Sequence, residues 1–474
     1  MVVKKSLITI VLSTCLLMGS LHADDKRKVI ENLSLDRALD IMKQENLELK
    51  VSKFNEQIKE YEAKVAQGYD YGKADVTFQA LRSNSAGNVF GFKLESREAN
   101  FGDFGAEEFM NNAGAAQNGD MAAAGRMYTK PPHELNYPGS RNHFQTKLNY
   151  QVPLYTGGKL DQYKKITNAL HTMSILDTKK LMQEKIFQTQ KTFYDISLVE
   201  DYIVNLNEIV NNIEKLKEIV SSMKEEGYAK DIDKLEVQAR ESEVQSMLSK
   251  AEFNKKLAYQ YLSFLLNSDV KSIQTINSRV PMPKVVKEEV QQTNLDIQKA
   301  KLGLKITDMA IKVQEANLLP EVGGFGEYSS ADNTPFNEFL DKDSYTVGVQ
   351  AKWNIYDGNI NKNNLEKAKI ENMKVYEQVN LAKRGICLQV RKTITEIKSK
   401  EAEIQSLDTQ LEFANKVYEN YRERYKEGVS SISDVLMKQS KSIQVLLKLL
   451  TAKNDRNTKI FELKSIMNQE GEEI

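Results

Sequence analysis

The chain contains one strand–helix–turn unit twice, and this duplication restricts the possible folds more than any other feature. The segment FQTKLNYQVPLYTGG returns later as YTVGVQAKWNIYDGN, and MKEEGYAKDIDKLEVQ returns as YKEGVSSISDVLMKQ. Gly157 aligns with Gly358 and Gly227 with Gly428, and both differences, 358 − 157 and 428 − 227, equal 201. A constant offset across a whole unit indicates an internal repeat. We therefore predict one duplicated architecture, with repeats at about 33–266 and 286–469.

Alternating side chains predict four β-strands, at about 73–82, 144–155, 320–329 and 344–356. In the fourth strand Tyr345, Val347 and Val349 alternate with small or polar residues, and Leu148 and Tyr150 do so in the second. Period-two alternation gives a strand one apolar and one polar face. Because a tilted strand of about 9–11 residues crosses a bilayer, we expect Val347, Val349, Leu148 and Tyr150 to face lipid.

Apolar residues elsewhere in each repeat recur at heptad spacing. In the second copy these positions are Ile397, Ile404, Leu411, Tyr418 and Tyr425. Such narrow seams indicate helices that pack as coiled coils. Each repeat has one long helix of about 66 residues, or about 100 Å, and two shorter helices of about 50 to 60 Å. Two short helices placed end to end match one long helix. We therefore expect a helical cylinder with the strands at one end and two tight turns at the other.

The remaining segments are predicted to be connections or shorter helices. Single helices are expected at 33–66 and 288–318, where NLEL in the first is echoed by NLDI in the second. The segments 83–143 and 330–343 are predicted as outer loops, and the first is rich in Gly, Asn and Ala. Loops as long as the first are uncommon and are usually functional or flexible. Tight turns, called the tip turns below, are predicted at about 225–233 and 426–434.

Charge and targeting signals exclude several classes of protein. Lys and Arg balance Asp and Glu, 66 against 66, without a basic block, so a nucleic-acid partner is not expected. Lys4 and Lys5, an apolar run and Ala23 predict a signal peptide at 1–23, which leaves 24–474 as the mature unit with Cys387 as its one cysteine. No other stretch approaches the length of about 18 apolar residues that a membrane-spanning helix needs.

Four strands cannot close a barrel by themselves. An open sheet edge cannot face lipid, because its backbone groups would lack hydrogen-bond partners. About eight strands is the smallest common size of a membrane barrel. The pattern therefore predicts an oligomer, and the strand count alone fits a dimer or a trimer.

The motifs of the chain resemble those of the TolC family of outer-membrane efflux and secretion channel proteins over nearly the whole mature chain. The resemblance rests on VPLYTGG and NIYDGN at the strand-to-helix joints, EEGYAKDIDKL and KEGVSSISDVL at the turns, and NLLPEV before the third strand. NVFGFKLESREANFGDF and LNYPGSRNHF are similar to the longer outer loop of one branch of the family.

The resemblance implies a mainly α-helical fold with a membrane β-barrel. Three chains would contribute four strands each to a twelve-stranded outer-membrane barrel that continues into a periplasmic α-barrel. It implies a passive exit duct of a tripartite efflux pump or type I secretion system, with a periplasmic adaptor, an inner-membrane transporter and outer-membrane lipid as partners. Neither a cofactor nor a metal is implied.

The resemblance also implies roles for residues of the two tip turns. The entrance and gate positions are Asp434, Asp233 and Tyr425, with Tyr425 and Asp233 at positions that hold the closed entrance by a hydrogen bond. The adaptor-contacting positions are Gly227, Tyr228, Gly428, Val429 and Ser430. An arginine that reinforces the closed entrance in the family would fall at Ser430, and a second acidic ring would fall at Met437.

Other interpretations of the same residues remain open. Asp434 could serve as a helix N-cap after the glycine turn, and Tyr425 could simply pack in its heptad seam. His133, His143 and His171 are scattered, and no set of residues in the sequence predicts catalysis, so we do not expect an enzyme. The alternative function is a secreted or surface coiled-coil structural or adhesion protein without a barrel. It explains the heptads and the signal peptide, but it leaves the duplicated strands unexplained.

Overall fold

The computed structural model describes residues 29–276, 278–335, 338 and 340–468. The predicted signal peptide, 1–23, lies outside these residues. The helices are α1 Leu35–Glu45, α2 Leu47–Gly68, α3 Ala86–Glu95, α4 Ala106–Gln117, α5 Met121–Thr129, α6 His133–Asn136, α7 Lys159–Glu225, α8 Asp231–Leu266, α9 Lys287–Thr293, α10 Leu295–Ala316, α11 Ile360–Lys426 and α12 Ile432–Met467. The strands are β1 Val29–Ile30, β2 Lys73–Ser83, β3 Arg141–Tyr155, β4 Asp269–Val270, β5 Glu321–Asp332 and β6 Asp343–Lys352.

The chain divides into two compact units, and the long helices α7 and α11 each contribute residues to both. The helical unit comprises the described parts of Met1–Lys53, Asp177–Leu295 and Lys383–Ile474. The sheet unit comprises Phe54–Leu176 and Asp296–Ala382.

The helical unit is held together by the predicted heptad seams. One core cluster joins α7, α8, α11 and α12, and its buried members include Leu206, Ile213, Val220, Val237, Val244, Tyr418, Tyr425, Val435 and Ile443. Most of these side chains recur at intervals of seven, which keeps them on one stripe of each helix. No described helix combines the length and the apolar character needed to cross a membrane.

One short helix of each repeat is interrupted, at 33–66 and at 288–318, where the sequence predicted single helices. Asn46 separates α1 from α2, and its side chain accepts a hydrogen bond from the backbone N–H of Leu49 at 3.1 Å. Its Nδ2 donates to the carbonyl of Leu265 at 2.8 Å, which satisfies a group at the end of α8. Asn294 separates α9 from α10 and donates in the same way to the carbonyl of Ile466 at 2.8 Å. Each asparagine therefore starts one helix and completes the end of another.

The sheet unit contains an antiparallel sheet in the order β2–β3–β5–β6. β5 is longer than predicted and reaches Asp332. β6 stops at Lys352 instead of continuing to 356. Beyond that point the Trp353 indole N–H donates to the carbonyl of Leu318 at 3.1 Å, and the Asp357 carboxylate accepts from the backbone N–H of Asn361 at 2.9 Å. These contacts turn the chain out of the sheet and into α11.

Glycines of the sheet allow one close cross-strand contact. A Cβ at Gly348 would lie 2.7 Å from the ring of Phe325, the residue directly opposite in the register. The missing side chain in β6 therefore makes room for the aromatic ring of β5.

The segment predicted as a 61-residue outer loop, 83–143, is largely helical. It is called the distal segment below, residues 84–140, because Ser83 ends β2 and Arg141 begins β3. It folds into α3 to α6 and a short 3-10 helix at Phe101–Phe104. Asp120 caps α5 by accepting from the backbone N–H of Ala122 at 3.0 Å, and the alanines that follow favour a helix. The sequence predicts only a loop here, because these helices are too short to produce a long periodic pattern.

Candidate functional site

The two tip turns have matching backbone geometry. Gly227 and Gly428 adopt φ angles of +81° and +73°, which favour glycine. The N–H of Gly227 donates to the carbonyl of Lys224 at 3.0 Å, and the N–H of Gly428 donates to that of Tyr425 at 2.9 Å. In both repeats, the glycine lies among the five residues that separate the end of a long helix from the start of its partner helix. Tyr228 and Val429, which follow the glycines, are exposed.

Beneath the tip turns, Tyr425 belongs to the core of the seam and is 5% exposed. Its hydroxyl has no hydrogen-bond partner among the described residues, and neither has the hydroxyl of Ser430. Burial, together with the nearby carboxylate of Asp233, raises the pKa of the Tyr425 hydroxyl. The structure therefore brings Tyr425 and Asp233 into electrostatic range without forming the hydrogen bond that the resemblance implies.

The two aspartates occupy equivalent places at the starts of α8 and α12. Asp233 accepts from the backbone N–H of Lys230 at 2.8 Å, so its carboxylate is occupied at its own helix start. Asp434 accepts from the hydroxyl of Ser431 at 2.6 Å, and its backbone N–H donates to Ser431 Oγ at 3.1 Å. Ser431 is therefore the N-cap of α12. The interpretation of Asp434 as the N-cap was wrong, because Asp434 lies three residues further on.

One side-chain hydrogen bond at the tips joins the two repeats. The hydroxyl of Ser433 in α12 donates to Glu236 Oε2 in α8 at 2.6 Å. Sequence reasoning missed this pair. A contact between residues 197 positions apart leaves no local signal in the sequence.

The sheet has the two faces that the alternation predicts. Register partners place Val76 opposite Leu148 and Val347 opposite Gly326 on the apolar face. The apolar side chains proposed to meet lipid are exposed in the single chain: Val347, Val349, Leu148 and Tyr150. On the opposite face Asn149 donates to Asp75 at 3.2 Å, and Lys147 forms an ion pair with Glu327 at 2.8 Å.

Neither the described histidines nor the described carboxylates form a metal site. No group of three or more His, Cys, Asp or Glu side chains in the described part of the chain is arranged to hold a metal ion. His143 is buried and stacks on the ring of Phe92, whereas His133 lies in the distal segment near Glu134. The candidate functional features of the described residues are the tip turns and the exposed apolar face of the sheet.

Comparisons with known proteins agree with this architecture. A family model described as "Outer membrane efflux protein" matches residues 286–469. No curated protein sequence matches the chain.

Three solved structures illustrate the shared fold. The outer membrane channel CmeC of Campylobacter jejuni has a TM-score of 0.74 at 14% identity, over 91% of this chain and 85% of that chain. The outer membrane protein VceC of Vibrio cholerae has a TM-score of 0.72 at 12% identity, over 91% and 95% of the two chains. The open state of the outer membrane channel MtrE of Neisseria gonorrhoeae has a TM-score of 0.72 at 13% identity, over 91% and 88%.

At these identities the solved structures show the fold, which confirms the prediction of long coiled helices combined with a small number of strands. The family model that matches residues 286–469 describes an efflux protein, in agreement with the prediction that the chain is not an enzyme. The match over the second repeat supports the outer-membrane location that the sequence motifs imply. The match of residues 286–469 to the outer membrane efflux protein model confirms the resemblance to the TolC family over the second repeat, and the solved structures confirm the fold.

Proposed function

We propose that three copies of this chain form the outer-membrane exit duct of a tripartite efflux pump or type I secretion system. The observation that carries this proposal is the four-stranded sheet, which has an exposed apolar face, a polar face and two open edges at β2 and β6. Open edges cannot face lipid, so further copies must pair with them. Three copies supply twelve strands, an even number within the range of outer-membrane barrels. The family resemblance favours three copies over two.

The helix α2 supplies a second surface suited to another copy of the chain. Its exposed apolar side chains recur at alternating intervals of four and three residues: Leu47, Val51, Phe54, Ile58, Tyr61 and Val65. This is the a/d pattern of a coiled-coil seam. An exposed seam of this length supports packing against a helix of a neighbouring copy.

We assign the entrance of the duct to the tip turns. Three copies of Asp434 would place three carboxylates around the entrance, where rings of acidic side chains favour cations. Asp233 and Tyr425, which lie close enough to interact electrostatically, are assigned as the gate residues of this entrance. The surface that contacts the periplasmic adaptor comprises Gly227, Tyr228, Gly428, Val429 and Ser430. The adaptor in turn connects the duct to an inner-membrane transporter.

The lipid-facing assignment can be tested with a matched pair of substitutions in β6. Val347 lies on the apolar face, whereas Thr346 pairs with Glu327 on the polar face. Val347→Arg should cost about 2–4 kcal/mol if the residue lies near the bilayer midplane. Thr346→Arg should assemble normally. The measurement is the yield of heat-modifiable trimers in outer-membrane fractions and of conducting channels in planar bilayers.

The same measurements separate the proposal from its alternative. Equal trimer yields for both arginine variants would contradict the lipid-facing assignment. A native protein that stays soluble after export, forms no trimer and never conducts would favour a secreted coiled-coil structural or adhesion protein.

A further inference from the structure

The distal segment is attached to the polar face of the sheet. His143 and Gln145 of β3 alternate with Phe144, so they share the face of Lys147 and its partner Glu327. The ring of Phe92 in α3 stacks on His143 with a centroid distance of 4.1 Å and an interplanar angle of 7°. The helix α3 therefore lies over the polar side of the strand ends.

The last residue of α3 makes two further contacts with that face. Glu95 Oε2 lies 3.1 Å from His143 Nε2 and accepts from Gln145 Nε2 at 3.3 Å. Both strand residues belong to the polar face, and His143 is buried beneath the helix. The attachment thus combines an aromatic stack with polar contacts to successive residues of one face.

An ion-pair cluster fixes the segment that follows α3 to both hairpins of the sheet. Arg141, the first residue of β3, donates to Ser96 Oγ at 2.8 Å and pairs with Glu98. Glu98 also accepts from Lys342 at 2.6 Å, and Lys342 pairs with Asp332 of β5 at 3.0 Å. Although burial opposes it, the pairing with Lys342 and Arg141 holds the pKa of Glu98 below its ordinary value. Glu98 is therefore ionised at neutral pH and links two cations from different hairpins.

The contacts lie at the end of the sheet opposite the end that connects to α2 and α7. β2 follows α2 and runs toward the distal segment, whereas β3 returns from it toward α7. The helices α2 and α7 therefore connect to one end of β2 and β3, and the distal segment connects to the opposite end. If the helices lie in the periplasm, the distal segment faces the exterior.

We propose that α3 forms a constriction at the outer mouth of the channel, held there by Phe92, Glu95 and Glu98. This inference rests on the proposed function, because in a barrel whose apolar face meets lipid the polar face of the sheet lines the pore. A helix with its side chains is about 10–12 Å across. One such helix on the lining face of each copy narrows the mouth from three sides. The outer mouth, rather than the tip turns alone, then limits the size of what passes.

The register of the sheet provides a direct test. Ser83 and Arg141 are partners in the pairing of β2 with β3. A two-residue Asn-Gly turn, which suits antiparallel hairpins, can therefore replace residues 84–140 in the full chain. Single-channel conductance of the variant in planar bilayers should be at least about twofold that of the native protein, because a column about 10 Å wide is removed from each copy. Larger polyethylene glycols added on the outer side should also enter the channel.

A point substitution tests the attachment without removing the segment. Glu98→Gln removes the charge that links Arg141 and Lys342, and it should raise conductance or its fluctuations above the native level. Glu107→Gln is the matched control, since Glu107 is an exposed acid of α4 in the same segment. The control should conduct like the native protein.

The outcomes separate the two proposals. A native protein that conducts, with unchanged conductance and polymer exclusion after the deletion, overturns the constriction and leaves the channel function standing. A native protein that never conducts overturns both. If the deletion variant does not assemble, identical conductance of the native protein, Glu98→Gln and Glu107→Gln overturns the constriction.

Discussion

Replacing Asn46 by alanine should open the joint between α1 and α2. Asn46 is 2% exposed, and its side chain makes two hydrogen bonds, one from the N–H of Leu49 and one to the carbonyl of Leu265. Alanine leaves both partner groups buried without a replacement. Each such loss costs about 1–3 kcal/mol, and we expect a total of about 2–4 kcal/mol after local relaxation.

The effect should be local, so hydrogen exchange measured by mass spectrometry is the suitable assay. A loss of about 2–4 kcal/mol corresponds to exchange about 30- to 1000-fold faster at the start of α2. Asn46→Asp separates the two bonds, because a carboxylate still accepts from Leu49 but cannot donate to Leu265. In this variant the amides at the start of α2 should keep their protection from hydrogen exchange. The amides of Asn267 and Ser268, which close the end of α8, should exchange faster.

Asn207→Ala is the matched control, because Asn207 is exposed and donates only to the carbonyl of Ile203 in its own helix. It should leave exchange unchanged at both ends of the joint. The reasoning fails if Asn46→Ala exchanges like the native protein. It also fails if Asn46→Asp is indistinguishable from the native protein at the end of α8.

Two further predictions concern the tip turns. Tyr425→Phe should leave thermal stability unchanged or raise it by up to about 1 kcal/mol, because it removes a buried hydroxyl that lacks a partner. Tyr418→Phe should lower stability, because it removes the acceptor of the Gln439 side chain. A loss of stability in Tyr425→Phe, with raised conductance, would instead show that the hydroxyl holds a partner in the assembled closed entrance. A double-mutant cycle of Ser433→Ala and Glu236→Gln should give a coupling free energy of about 1 kcal/mol. Ser442→Ala, which breaks a bond to Asn415 within the second repeat, should show no coupling to Glu236→Gln.

The features that the sequence predicted are those with a repeating physical signal. Strands were recognisable because Val347 and Val349 alternate with polar residues, and the seams because Tyr418 and Tyr425 lie seven positions apart. The glycines of the tip turns were recognisable because few other residues adopt their backbone angles.

The features that the sequence did not predict depend on single side chains or on distant partners. The echo of NLEL by NLDI marked the positions of Asn46 and Asn294, but an asparagine within a heptad pattern does not reveal that it interrupts the helix. The attachment of α3 depends on Glu98 meeting Lys342, 244 positions away. Local patterns carry no information about such a pair.

The two repeats have the same residue type at equivalent helix ends, but different residue types at the tip positions where one repeat contacts the other. Asn267 and Asn468, which end α8 and α12 in the left-handed conformation, are separated by the repeat offset, since 468 − 267 is 201. Ser433 and Glu236 correspond by the same offset to Ile232 and Met437. Ile232 and Met437 are 56% and 61% exposed. Every helix end needs the same backbone groups satisfied, so both copies require the same kind of residue there. A contact between the two repeats carries no such requirement. One tip position therefore holds the polar pair Ser433–Glu236. The equivalent position of the other repeat holds the exposed apolar side chains of Ile232 and Met437, which are available to a partner protein.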